Sequence, residues 1–509
     1  MFRKLVEHFA RRLARPSAGE DGEIEMGLGV LLALLAAPGL FLALGLLDKY
    51  SSLLDSIRMR PMFQDPYPRC FVDGHGLIVF SMSITGLVTI WKWEGLLPDE
   101  TDRLNLAPLP VSPRRIFAAS LAAVAGVAGV FIADVNAFSL LVYPGVVMAN
   151  RTFLEFLRLL FAHAVVVAAA SIFSFCATLA AMGVVLTVTP ARILAPVSVL
   201  ARAGLAAALL GMWITAGAPP SPSRWFRALY GPLVGRPELT DPHLVRLALA
   251  GLALAILLAL AGYAFGYARA IEGQLVRSAP PLRWPAALTR WGATPLERAA
   301  LPFTLRALWR GETQSLLICG ALVMALVIGL RAGEPRLLPL YAGYALVVAV
   351  TAALATVIHP AANWICRMLA EARGDEAYRV ARRAAWLHLA LVVIAAACFD
   401  LRIAIVTASI GGLIIEALLL NFRQIPFTVR PPGFRNTRVM HAFLALLGLT
   451  LVPFVGAWFA SDTLRTASIA VTAAVLIRFR RSIAEELFGA DAPPLVFDLE
   501  QPEVTQLRL

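Results

Sequence analysis

Apolar residues come in long runs along the chain, separated by shorter stretches rich in arginine, proline and acidic residues. The runs lie at 26–47, 77–93, 116–137, 159–187, 193–217 and 247–268, then at 314–332, 338–358, 385–400, 402–420, 440–460 and 465–478. About 20 apolar residues carry an α-helix across a bilayer. The pattern therefore predicts an all-α, polytopic integral membrane protein with about twelve transmembrane helices in two sets of six.

The polar intervals organise these runs. The longest, 270–313, contains SAPPLRWP and a series of arginines, and separates the two sets. Each set opens on a basic amphipathic segment. In the first, FRKLVEHFARRLAR places Phe2, Leu5, Val6, Phe9 and Leu13 on one helical face; in the second the segment is LPFTLRALWRGE. Both read as interfacial helices lying along the membrane surface. The expected organisation is an N-terminal helix and acidic linker (1–25), a first half (26–269), a connector with the second interfacial helix (270–313), a second half (314–480) and a C-terminal tail (481–509). After its second run each half carries a polar segment, WKWEGLLPDETDRLNLAPLPVSPRRIFAAS in one and NWICRMLAEARGDEAYRVARRAAW in the other, a placement that suggests duplication.

Composition sharpens the class. Hydrophobic residues make up 59% and charged residues 15%, against roughly 45–50% and about 25% in soluble domains, which excludes a soluble enzyme. In a soluble chain the net charge of +12 would suggest nucleic acid, but here the sign of each loop matters more. With the N-terminus inside, roughly two thirds of the 45 basic residues fall on inward-facing segments, as the positive-inside rule requires. The expected location is a bacterial inner membrane with both termini cytoplasmic and no nucleic-acid partner. An acidic linker follows the basic start where a secretory signal would have an apolar core, so the first span is expected to remain in the mature protein.

Chemistry is sparse. The chain contains no GxxxxGK[ST], HExxH or GxSxG, which leaves no phosphate cradle, zinc protease site or nucleophile elbow. Its seven histidines and five cysteines are scattered, so no metal site, disulfide framework or resident cofactor is expected. Asp134, His163 and Glu416 lie within apolar runs, where ionisable residues are functional candidates. Asp134 and Glu416 fall near run ends and Arg158 at a boundary, and no facing pair of carboxylates for an ion relay is evident. Trp91, Trp93, Trp309, Trp364, Trp386 and Trp458 sit near run ends, as interfacial anchors do.

Two surface segments stand out. Residues 421–438, NFRQIPFTVRPPGFRNTR, cannot form a continuous helix through Pro426, Pro431, Pro432 and Gly433, while Arg423, Arg430 and Arg435 would hold the stretch at an anionic surface. It is a second candidate platform, favoured as a membrane anchor. The first candidate runs from Glu94 to Phe117. Pro108 and Pro110 impose extended backbone, after which Ser112 is a predicted N-cap and Pro113 a first helical residue. The product is a surface helix, an extended stretch and a capped helix re-entering the bilayer.

The stretch LAPLPVSPRRIFAAS, following a glutamate after the second run, resembles the permease subunits of ATP-binding cassette exporters of the second exporter type, where a similar LPLPVSRR stretch leads into the third span. The resemblance covers about residues 1–270; the second half lacks the LPVS stretch. It implies an exporter permease without catalysis of its own, driven by a separate dimer of nucleotide-binding ATPase subunits that carries the ATP and Mg. It further implies that Glu94, Leu97, Asp99, Asp102, Arg103, Arg114 and Arg115 belong to the coupling segment on which that partner docks, and Arg3, Lys4, Arg11 and Arg12 to the interfacial helix. The competing reading is a non-transporting scaffold or accessory subunit of a larger membrane complex.

Overall fold

The computed structural model describes residues 2–14, 37, 39–47, 50, 67–97, 102, 111–148, 152–190, 193–214, 221–271, 295–331, 333–354, 374–419, 451–452 and 454–488. Among them every regular element is a helix. The chain divides into two units, Met1–Ser278 and Ala279–Leu509, with the boundary inside the expected connector.

The first unit contains α1 (Phe2–Ala14), α2 (Tyr67–Trp91), α3 (Pro113–Val147), α4 (Phe153–Val188), α5 (Leu194–Ile214), the short α6 (Pro222–Arg227) and α7 (Tyr230–Val234), and α8 (Pro242–Ile271). The second contains α9 (Pro295–Arg310), α10 (Glu312–Arg331), α11 (Leu338–Leu354), α12 (Gly374–Ala397), α13 (Leu401–Leu419) and α14 (Thr463–Phe488). Seven described helices are long and apolar enough to cross a membrane, or nine if each of two bent pairs counts as one span. This is a membrane-embedded protein. The expected runs at 26–47 and 440–460 lie largely outside the described residues, and the α5 segment Pro196–Met212 is a shorter apolar helix, so the twelve expected spans are not all seen.

Local signals explain where the long helices begin. Pro113 opens α3 with Ser112 at the N-cap position, although its side chain makes no capping bond. The start of α4 is a capping box, in which the Thr152 hydroxyl accepts from the Glu155 amide and the Glu155 carboxylate accepts from the Thr152 amide. At 35 and 36 residues, α3 and α4 extend about 53 Å at 1.5 Å per residue, well beyond a hydrocarbon core of about 30 Å.

In the first unit α2 packs against α3, α4, α5 and α6, while α4 packs against α2 and α8. The approach of α4 to α8 depends on two glycines: a Cβ on Gly183 would stand 2.2 Å from Gly262 Cα. Such small-residue crossings let membrane helices pack closely. Polar groups join α2 to α4, through a Ser81–Ser171 hydroxyl pair and a 2.7 Å bond from Ser174 Oγ to the Met82 carbonyl.

The second unit repeats this packing plan. α9 lies on α12 as α1 lies on α3; α11 touches α12 and α13 as α2 touches α3 and α4; α12 packs on α13 as α3 on α4; and α13 packs on α14 as α4 on α8. The repeat departs before the last helix. Where α6 and α7 precede α8, only Ser461 and Asp462 separate the helical segment Phe454–Ala460 from α14, with a bend of 117°.

Candidate functional site

The site begins with the apolar stripe of α1. Leu5, Phe9 and Leu13 recur every fourth residue and are buried with Trp93, Leu96, Leu97, Ile116 and Ala119, whereas Phe2 at the helix start is 48% exposed. The opposite face keeps Arg3, Lys4 and Arg11 exposed, and Arg11 pairs with Glu7 at 2.6 Å. α1 is thus an amphipathic helix with its apolar stripe turned into the first unit.

Arg12, at the edge of the stripe, reaches the segment after α2. Its Nη2 donates to the carbonyls of Gly95 (2.8 Å) and Leu97 (2.9 Å), its Nη1 forms an ion pair with Asp102, and its guanidinium lies 5.6 Å from the Phe9 ring centroid. His8 Nε2, one turn earlier, lies 3.1 Å from the other Asp102 oxygen. From below, Tyr263 of α8 donates to the Leu96 carbonyl at 3.0 Å and shares a 2.8 Å hydrogen bond with Ser120 of α3. Residues 93–97, Asp102, α1, α3 and α8 are thereby joined as one piece. Burial lowers the pKa of Lys92, in the turn beyond α2.

The expected docking residues divide into four groups. Arg3, Lys4, Arg11, Arg114 and Arg115 are exposed. Leu97 and Asp102, expected to face a partner, are buried at 7% and 4% exposure and are engaged within the chain, because α1 covers them; Arg12 is committed to the same contact. Glu94 opens a short 3-10 turn, Glu94–Leu96. Asp99, Arg103 and the platform residues Arg423, Arg430 and Arg435 lie outside the described residues.

Several important residues had no signal of comparable clarity in the sequence, and Glu416, a candidate there, meets its partners only through the fold. Arg202 of α5 is 2% exposed with its guanidinium 5.5 Å from the Trp93 ring centroid, so Trp93 is a buried partner and not an interfacial anchor; Trp91, 59% exposed, fits that role. In the second unit Glu297 of α9 is fully buried and paired with Arg379 (2.7 Å) and Arg383 (2.5 Å) of α12. Glu416 of α13 accepts from Arg382 (2.5 Å) and Trp386 (3.3 Å) and pairs with Arg480 of α14 (3.2 Å). Trp309 donates to His388 at 3.0 Å.

The other end of the first unit is a separate polar cluster. His163 is fully buried and shares a 2.6 Å hydrogen bond with the Tyr230 hydroxyl, Tyr143 donates to the Cys70 carbonyl, and Phe71 stacks on Tyr230 at 5.3 Å. Gly74 makes room for this: a Cβ there would stand 2.8 Å from the Tyr143 hydroxyl. Asp134 does not lie at a helix end, because α3 continues to Val147; its Oδ2 is buried without a hydrogen-bond partner. Among the described residues no group of three or more His, Cys, Asp or Glu could hold a metal ion.

No protein-family model, curated protein or solved structure matches this chain.

Proposed function

We propose that this chain is the membrane permease of an ATP-driven exporter, moved by a separate ATP-binding cassette subunit pair that grips the α1 surface. The observation that carries this reading is the Arg12 contact. A surface helix that is packed on α3 and hydrogen-bonded to the segment after α2, which Tyr263 of α8 holds in turn, transmits a push from outside the bilayer to two long membrane helices. Substrate movement then requires no bond chemistry on this chain. ATP and Mg reside on the partner, whose closure on nucleotide supplies the work. Exposed Arg3, Lys4, Arg11, Arg114 and Arg115 form a basic contact surface for it, while Arg12, Leu97 and Asp102 form the internal joint.

The decisive experiment is co-purification of tagged full-length protein in mild detergent. It is expected to bring down an ATPase with a Walker motif, and reconstituted permease is expected to stimulate ATP hydrolysis. The triple variant R3E/K4E/R11E should lose the partner, whereas Arg12→Ala should retain it and lose stimulation. Capture of no Walker-motif ATPase, or normal coupling in Arg12→Ala, overturns the reading and leaves a non-transporting scaffold as the better description.

A further inference from the structure

At the end of the first unit opposite α1, the short helix α6 is fixed from beneath. Phe226 is fully buried in the core, and the Trp225 ring packs edge-on against Phe173 of α4 at 6.3 Å. This anchoring leaves Arg224 and Arg227, one helical turn apart, half-buried. Neither side chain forms an ion pair or donates a hydrogen bond among the described residues, and Arg224 Nε is buried with nothing to donate to.

Two guanidiniums in this position are costly. Like charges one turn apart on a helix repel, and removing a cation from water without a partner adds a desolvation cost. Burial, followed by the field of Arg224, lowers the pKa of Arg227. The neighbouring Arg236 is different: it pairs with Glu238 at 3.5 Å and lies 5.9 Å from the Tyr67 ring centroid. An ordinary surface arginine finds such company, and the α6 pair does not.

The hydroxyls beside the pair add directional donors. His75 Nε2 lies 2.8 Å from Ser223 Oγ, and Ser223 Oγ lies 2.6 Å from Ser221 Oγ. If the relay runs from His75 through Ser223 to Ser221, the Ser221 hydroxyl proton is free to meet an acceptor. Paired guanidinium forks with a hydroxyl donor suit a tetrahedral oxyanion, because arginine engages phosphate oxygens bidentately.

We propose that Arg224 and Arg227, with Ser221 at their side, bind a phosphate-class anion at the end of the first unit opposite α1. The phosphate belongs either to a lipid headgroup or to a free anion. The site requires no ATPase and stands apart from the permease reading.

The test uses full-length protein in an uncharged maltoside detergent free of phospholipid, with inorganic phosphate as one probe and added phosphatidylglycerol as the other. Saturable binding of one anion per chain is expected, weakened at least tenfold in R224Q/R227Q and unchanged in Arg236→Gln. Saturation by inorganic phosphate assigns a free anion; retention of phosphatidylglycerol alone, read by native mass spectrometry, assigns a headgroup. Arg224→Lys keeps the charge and loses the fork, and an intermediate loss is expected even if the double variant does not fold. Absence of saturable binding of either probe to the wild-type protein, or binding that Arg224→Lys and R224Q/R227Q both leave unchanged, overturns the proposal.

Discussion

The leading helices of the two units are held by the same device with its charges exchanged. In the first unit α1 supplies two nitrogen-bearing side chains four residues apart, the His8 imidazole and the Arg12 guanidinium, and they close on Asp102. In the second unit the carboxylate, Glu297, is on the leading helix α9, and the cations four residues apart, Arg379 and Arg383, are on α12. In both, two nitrogen-bearing side chains one turn apart grip one buried carboxylate from another element. The conserved requirement between units is the fixed seat of the leading helix; the sign of the charge it carries varies. Both leading helices keep free arginines beside the grip: the first unit leaves Arg3, Lys4, Arg11, Arg114 and Arg115 exposed and α9 leaves Arg298 and Arg306 exposed, while Arg379, Arg382, Arg383 and Arg480 of the second unit are engaged by Glu297 and Glu416.

The largest effect should follow from removing the buried acid of the second unit. Breaking one side of a buried pair costs about 3–5 kcal/mol. Glu297→Gln should fall near the lower bound, since Arg379 and Arg383 are 40% and 29% exposed and can turn toward water. The measurement is the half-life of the folded protein in detergent at a fixed temperature. An unchanged half-life would break the comparison, because the acid would then not seat α9. Glu297→Arg combined with Arg383→Glu restores an opposite-charge pair, and partial recovery would show that the device tolerates reversal within one unit.

Next in size is Arg12→Ala, which removes two hydrogen bonds to carbonyls and an ion pair. Arg12 is 20% exposed, and the loss of a few such bonds is worth about 2 kcal/mol. A change of that size corresponds to roughly thirtyfold faster amide exchange along α1. Exchange confined to α1 is the expected outcome; a global increase would mean that Arg12 supports the whole unit.

Part of this architecture was legible in the chain because its causes are local. The stripe of Leu5, Phe9 and Leu13 follows from helical periodicity, the start of α3 from Ser112–Pro113, and the seven described spans, out of about twelve expected, from apolar run length. The capping box at Thr152 and Glu155 was equally readable, and it places the start of α4 six residues before the apolar run begins. The site was legible only in outline. Asp102 read as a surface acid because its partner Arg12 lies 90 residues earlier, and hydropathy carries no information about which distant cation will cover it. Trp93 read as an interfacial anchor because a tryptophan at a span end usually is one; only the fold brings Arg202 over its ring. Asp134 looked terminal because the run weakens at Asn136, yet Asn136 donates to the Ile132 carbonyl of its own helix and the helix continues.

The smallest effect should come from His8, and it tests whether the two side chains in each grip are equivalent. The His8 side chain is 50% exposed while that of Asp102 is 6% exposed. Solvent screening limits such a half-exposed contact to about 0.5 kcal/mol, so His8→Ala alone should change α1 exchange by no more than two- to threefold. In the Arg12→Ala background the same substitution should cost more, because the His8 imidazole then stands beside the buried Asp102 carboxylate without the guanidinium. A double-mutant cycle isolates that difference, since contacts sharing one partner are not additive. Additive effects of His8→Ala and Arg12→Ala would show that the first unit uses one cation where the second uses two, and the parallel between the grips would reduce to Arg12 alone.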